Sequence, residues 1–180
     1  MQRVAIVGVS GSGKTTLGSQ LAECLEVDAI DLDALFHGPN WEPTPTPEFR
    51  ARVSDRLAQA TDGWVVAGNY TPVLDIVHGQ ADTVVWLDLP RWQSTARVVK
   101  RSVGRVIRRE RLWNDNRESV RNLVSRDPER NVIRWAWVSH PVVSARYESF
   151  ATDGGFWSSL DVQRLRRSKE VRDFLHAACD

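Results

Sequence analysis

Residues Gly8-Val9-Ser10-Gly11-Ser12-Gly13-Lys14-Thr15 set a glycine at each end of a four-residue gap, then Lys and Thr. That order constrains the fold more than any other stretch. The glycines let the backbone curl until its N–H groups point inward at phosphate oxygens. Lys14 is predicted to reach the β- and γ-phosphates and the Thr15 hydroxyl to ligate magnesium. The flanks agree. Arg3-Val4-Ala5-Ile6-Val7 is a β-branched run suited to a buried strand, and Leu17, Leu21, Ala22 and Leu25 recur at helical spacing. The loop thus joins a strand to a helix N-terminus, where the macrodipole favours an anion. Gly8, Ser10, Gly11, Ser12, Gly13, Lys14, Thr15 and Thr16 form the candidate nucleotide cradle. The chain has only three lysines among 24 basic residues, and Lys14 stands where the motif requires one.

Five short apolar runs are predicted as strands: 4–7, 27–30, 64–67, 83–87 and 160–165. Helical patterns separate them, which argues for a parallel, doubly wound α/β sheet in one domain spanning 1–180. Right-handed crossovers then bring every strand's C-terminal end to the P-loop rim.

The candidate chemistry gathers on that rim. The second strand runs into Asp31-Leu32-Asp33, and alternation would put both carboxylates on one side of it. Asp31 is the candidate magnesium ligand, through water. Asp33 is the candidate base for an attacking hydroxyl, unless it merely caps the helix at Ala34-Leu35-Phe36. The third strand leads to Gly68-Asn69-Tyr70, where glycine permits close approach and Asn69 and Tyr70 offer hydrogen bonds. Phe36 and Trp41 join them as candidate acceptor contacts, and His37 lies just beyond Asp33. Asp88 reads as a cap or supporting group. His78, His140 and His176 make no metal pattern.

Gly38 to Pro47 is a loop by composition. Thr46 then reads as an N-cap with Pro47 in the first turn, Phe49, Val53 and Leu57 as the apolar face, and Asp62-Gly63 as the stop. After Pro90 a helix carries an apolar stripe (Trp92, Ala96, Val99, Val103, Val106). Its opposite face holds Arg97, Arg101, Arg105 and Arg109 at i+4 spacing, with Arg108 beside them. From 91 to 134 there are 13 basic against five acidic residues. Such a face either serves an anionic partner or stays solvated.

The net charge of +1 gives no global push toward nucleic acid or membrane. No signal peptide or membrane-length apolar run is read. Cys24 and Cys179, far apart in sequence, suggest free thiols, Cys24 in the core, and a reducing cytoplasm. The eight tryptophans are expected in the core or along a cleft.

With these residues in view, the chain resembles the adenylate-kinase-related P-loop proteins of the DNA topology modulation, or FlaR-like, family. The resemblance lies in the P-loop, Leu32-Asp33-Ala34-Leu35-Phe36, Trp41 and Trp64-Val65-Val66-Ala67-Gly68-Asn69-Tyr70. It continues through Trp86-Leu87-Asp88-Leu89-Pro90-Arg91-Trp92, Arg134-Trp135-Ala136-Trp137 and Ser168-Lys169-Glu170-Val171. It implies a three-layer nucleoside-monophosphate-kinase-like fold with sheet order 2-3-1-4-5, an acceptor region at 32–63 and an arginine-rich helical lid at 97–134. It implies an ATP-dependent kinase using ATP and Mg2+. Lys14, Arg105, Arg108 and Arg109 would stabilise the transferring phosphoryl, and Arg101 and Arg166 would contact the nucleotide. Two departures stand out. Ala67 replaces an acid usual in those relatives, and Asp31 makes an Asp-x-Asp that resembles shikimate kinase at the same strand. The acceptor is then a nucleotide or a small hydroxyl compound. A slow regulatory ATPase and a nucleic-acid binder are the alternatives.

Overall fold

The computed structural model describes residues 1–108, 110–116, 125, 127 and 131–179. Its sheet is all parallel, in the order β2-β3-β1-β4-β5. The strands are β1 (Arg3–Gly8), β2 (Asp28–Asp31), β3 (Trp64–Ala67), β4 (Thr83–Leu87) and β5 (Asp161–Leu165). The order and parallel direction are those expected. β1 extends one residue at each end, β2 shifts by one residue and β5 starts one residue later than expected.

The β1 run is buried along its length because helices cover both faces of the sheet. Its side chains alternate between two cores. Ala5 and Val7 pack with Phe49, Val53, Trp64, Trp86, Tyr147 and Trp157 on one face. Val4 and Ile6 pack with Leu17, Leu21, Val65 and Leu87 on the other. Helices α1 (Lys14–Leu25), α2 (Leu32–Phe36), α3 (Thr46–Gln59), α4 (Leu74–His78) and α5 (Arg91–Arg108) follow in order. The last two described helices are α6 (Val132–Phe150) and α7 (Ser168–Cys179). Thr46 opens α3 rather than capping it, and Phe49, Val53 and Leu57 are its buried face, as the spacing requires. No helix among the described residues is long and apolar enough to cross a membrane.

Three expectations fail for identifiable reasons. The first is the face of α5. Its buried residues are Ser94, Val98 and Ser102, whereas Trp92, Val99 and Val103 are exposed. Small hydroxyl residues let α5 approach the P-loop closely, which turns the arginine face toward the loop and the apolar stripe outward. The second is the cysteines. Cys24 and Cys179 form a disulfide across 155 residues, with Cα atoms 5.4 Å apart. Packing of α7 on α1 brings together residues that sequence distance separates, and the pair no longer argues for a reducing compartment. The third, that the tryptophans sit in the core or along a cleft, fails for three of the eight. Trp64, Trp86 and Trp157 are fully buried, and Trp92, Trp135 and Trp137 are exposed.

A proline inside α6 shows how local chemistry is settled by its neighbours. Pro141 has no N–H to give the carbonyl one turn back. That carbonyl, of Trp137, accepts instead from Arg91 Nε at 2.8 Å. The Arg91 guanidinium also lies 3.8 Å from the centre of the Trp137 ring, which couples α5 to α6.

Candidate active site

The P-loop leaves β1 at Gly8 and enters α1 at Lys14. Lys14 folds back over it, with Nζ donating to Gly8 O at 2.8 Å and Val9 O at 3.1 Å. Burial pushes the Lys14 ammonium down to about 8, Asp33 and Asp31 pull it up, and Arg101 pushes it down further. Helix α1 has no side-chain cap, so its first N–H groups remain available. The buried Ser12 hydroxyl has no hydrogen-bond partner. Uncommitted donors around a lysine fit a polyphosphate.

Asp31 ends β2, and α2 begins at Leu32, so Asp33 lies in the first helical turn rather than on the strand. Asp31, not Asp33, is the cap: its Oδ1 accepts from the Asp33 N–H at 3.0 Å. The turn still delivers both acids to the P-loop. Thr15 Oγ1 stands 3.5 Å from Asp31 Oδ2. Burial, then the Asp33 charge, pushes the Asp31 carboxyl up to about 6. Among the described residues, no three His, Cys, Asp or Glu side chains gather to hold a metal. A hydroxyl and one carboxylate facing a phosphate cradle nevertheless fit magnesium, which keeps most of its waters.

The turn after β3 supports this arrangement from beneath. A Cβ on Gly68 would stand 2.6 Å from the Leu32 Cβ, so glycine there lets α2 seat against β3. Asn69 grips the loop: its Oδ1 accepts from the Gly8 N–H at 3.2 Å and its Nδ2 donates to the Gly8 carbonyl. Gly68 and Asn69, expected to face the acceptor, are thus committed to the frame. Tyr70 faces the site. Its hydroxyl donates to Asp33 Oδ1 at 2.6 Å and lies 3.4 Å from His37 Nε2. Burial, with Asp33 beside it, raises the phenol well above its ordinary value.

Phe36 packs 4.4 Å from Tyr70, and His37 lies 5.3 Å from Trp41 and 6.0 Å from Trp113 between ring centres. Trp113 belongs to a single helical turn beyond α5 that docks on the acceptor loop. There Asn116 Oδ1 accepts from the Trp41 N–H at 2.9 Å and Asn116 Nδ2 donates to Gly38 O at 2.9 Å. Asn114 Nδ2 donates to His37 O at 2.5 Å. Trp41 is held at a φ of 62°, rarely adopted by an aromatic residue.

The arginines divide by position. Arg97, in the predicted ladder but not among the expected site residues, donates to Ser12 O at 3.1 Å and to Ser168 Oγ at 2.9 Å, tying P-loop, α5 and α7 together. The Arg101 charge acts on Lys14. Arg105 and Arg108 lie farther along α5 beside Glu110, at 4.0 and 3.5 Å. Arg109 lies outside the described residues. Asp88 accepts from Arg164 at 2.7 Å and lies 3.7 Å from Arg166, so it supports the β5 rim rather than reacting. Arg97, Trp113, Asn114 and Asn116 were not among the expected site residues. Only Arg97 carried a signal, as the first rung of the i+4 ladder.

A family model described as shikimate kinase matches residues 10–42, from the P-loop through both acids to Trp41. A shikimate kinase of Corynebacterium efficiens is 30% identical over 132 residues, covering 67% of this chain and 76% of that protein. The chain belongs to the shikimate kinase family. A shikimate kinase of Corynebacterium diphtheriae is 35% identical over 98 residues, covering 48% of this chain and 56% of the relative. Among solved structures, shikimate kinase from Acinetobacter baumannii in complex with shikimate superposes with a TM-score of 0.55. It is 18% identical and covers 98% of this chain and 90% of its own. Deoxyadenosine kinase from M. mycoides with bound dATP gives 0.52 at 10% identity, with both chains fully covered. These two speak for the P-loop kinase fold. This shikimate-kinase-family chain is an ATP-dependent small-molecule kinase. The comparisons do not support the DNA topology modulation resemblance. The Asp31-x-Asp33 pattern pointed to the right family.

Proposed function

We propose that the chain moves the γ-phosphoryl group of Mg-ATP to the hydroxyl of a small acceptor held between Asp33 and the aromatic wall. One observation carries this reading. The Asp33 carboxylate receives a phenolic O–H at 2.6 Å while its charge acts on the P-loop lysine. It is therefore placed to accept a hydroxyl proton beside the γ-phosphate. Asp33 orients the acceptor oxygen and takes its proton as the bond to phosphorus forms. Lys14 and Arg101 offset the charge spread over the phosphoryl oxygens. Arg105 and Arg108 supply further positive charge from the far end of α5, and Arg166 borders the adenine. Thr15, with Asp31 through water, would hold a magnesium ion, which would supply positive charge to offset that of the phosphates. The Asn114 and Asn116 contacts draw the lid over the acceptor loop and exclude water.

The test is acceptor-dependent ADP release from wild type and Asp33→Asn, with shikimate among the acceptors. The substitution should lower kcat by about 100-fold or more and leave ATP affinity within a few-fold. An unchanged kcat would remove the base.

A further inference from the structure

We propose that Tyr70 is a positioning residue for the transfer: its hydroxyl holds the Asp33 carboxylate in register with the P-loop and does not itself bind the acceptor. The inference rests on Asp33 being the base. A carboxylate in the first turn of α2 is free to rotate unless something holds it. Loss of that hold matters, because a misplacement of about 1 Å in a reacting group costs on the order of 100-fold in rate. The Tyr70 hydroxyl supplies the hold. It donates to Asp33 Oδ1 at 2.6 Å, the short distance of a hydrogen bond to a charged acceptor. With Oδ1 occupied, the second oxygen is the one left for an acceptor hydroxyl.

The phenol is fixed in turn from three directions. Along the chain, the preceding residue, Asn69, is bonded through both of its side-chain polar atoms to the Gly8 backbone, where the P-loop begins. The Tyr70 carbonyl accepts from the Val73 N–H at 3.1 Å. Across the ring, Phe36 and Phe49 pack at 4.4 and 5.3 Å between centres. Behind the hydroxyl, His37 Nε2 lies 3.4 Å away. A neutral His37 with its proton on Nε2 would donate to the phenol oxygen and leave Nδ1 bare. Nδ1 is buried without a hydrogen-bond partner, and burial holds the imidazole below its ordinary value, so both observations suit that tautomer. Burial and the Asp33 charge keep the phenol protonated and therefore a donor. Each donor in the chain His37–Tyr70–Asp33 then points toward the carboxylate, as a base oriented by a third group requires. Two consecutive side chains, Asn69 and Tyr70, thus connect the origin of the phosphate cradle to the base.

The experiment is a double-mutant cycle on the full chain with Tyr70→Phe, Asp33→Asn and the pair. It is scored by ADP release with a panel of shikimate, polyols, sugars, nucleosides and nucleoside monophosphates, and by ATP hydrolysis with water as the acceptor. Phenylalanine keeps the ring contacts and removes the hydroxyl, so the urea midpoint should stay near that of wild type. Tyr70→Phe should lower kcat roughly 10- to 100-fold, with KM for ATP and for the acceptor within about threefold. In the Asp33→Asn background the same change should cost less than about twofold more, because the group it positions is gone. Equal losses in both backgrounds, or an effect confined to the acceptor KM, would overturn the proposal, since Tyr70 would then act on the acceptor directly. Wild-type kcat in Tyr70→Phe beside a slow Asp33→Asn overturns it and leaves the base standing. Normal turnover in Asp33→Asn removes the base and the Tyr70 role with it.

Discussion

Two glycines of the P-loop differ in what surrounds them, and substituting each by alanine separates backbone strain from packing. Gly11 has φ 79° and Gly13 has φ 104°. An L side chain is strained at both, at a cost of about 1–2 kcal/mol. Around Gly13 there is room, the nearest atom to an added Cβ being Arg97 Nη1 at 3.6 Å. At Gly11 a Cβ would sit 2.3 Å from Ser94 O and 2.6 Å from Val98 Cγ2. The Ser94 carbonyl is backbone and cannot turn aside, so α5 must move off the loop. Overpacking of this kind adds about 1–3 kcal/mol. Gly11→Ala should therefore cost about 2–5 kcal/mol in urea unfolding and Gly13→Ala about 1–2, with unchanged m-values. The gap would appear as roughly 2–12 °C in melting temperature for a chain of this size. Both variants should bind ATP more weakly, because both distort the cradle. If Gly13→Ala proved as costly as Gly11→Ala, α5 would not be seated on the loop as described, and the account of why its arginine face turns inward would fail.

ATP affinity should be flat between about pH 7 and 8 and fall tenfold per unit above it, since burial holds free Lys14 near 8 and phosphate needs the ammonium, while Asp31 near 6 is already ionised. Calorimetry in buffers of different ionisation enthalpy should register proton uptake there, and a flat profile to pH 9.5 would contradict the assignment. Reducing the Cys24–Cys179 bridge opens a loop of 155 residues and should cost about 5 kcal/mol on the chain-entropy view. A melting temperature unmoved by reductant would show that α7 holds without the bridge. Asn116→Ala strips partners from the Trp41 N–H and Gly38 O. It should raise the acceptor KM several-fold and destabilise the acceptor loop by about 1–3 kcal/mol, whereas an unchanged KM would mean the lid contact is incidental.

The sheet was legible because its strands are written as short β-branched runs, and strand direction follows from the helices between them. The P-loop and both acids were legible because spacing along the chain sets their chemistry. What escaped was set by packing between distant segments. Ser94 and Val98 look no more buried in sequence than Trp92, yet their small size lets α5 press on Gly11. Asn69 reads as a ligand group, but the nearest unmet partner is the Gly8 backbone. Trp113, Asn114 and Asn116 carry no motif. Their role exists only because the short turn at 113–116 packs on residues 37–41. The cysteine pair is the same case, since proximity of α1 and α7 ends is a property of the fold rather than of any window.

The central claim is that the γ-phosphoryl leaves ATP for an acceptor hydroxyl oriented by Asp33. Incubating the protein with γ-labelled ATP and the acceptor panel, then locating the label, tests it most directly. Label on a hydroxyl oxygen of one acceptor, lost in Asp33→Asn, is the predicted result. Label found only in inorganic phosphate, at a rate indifferent to acceptor, would contradict it.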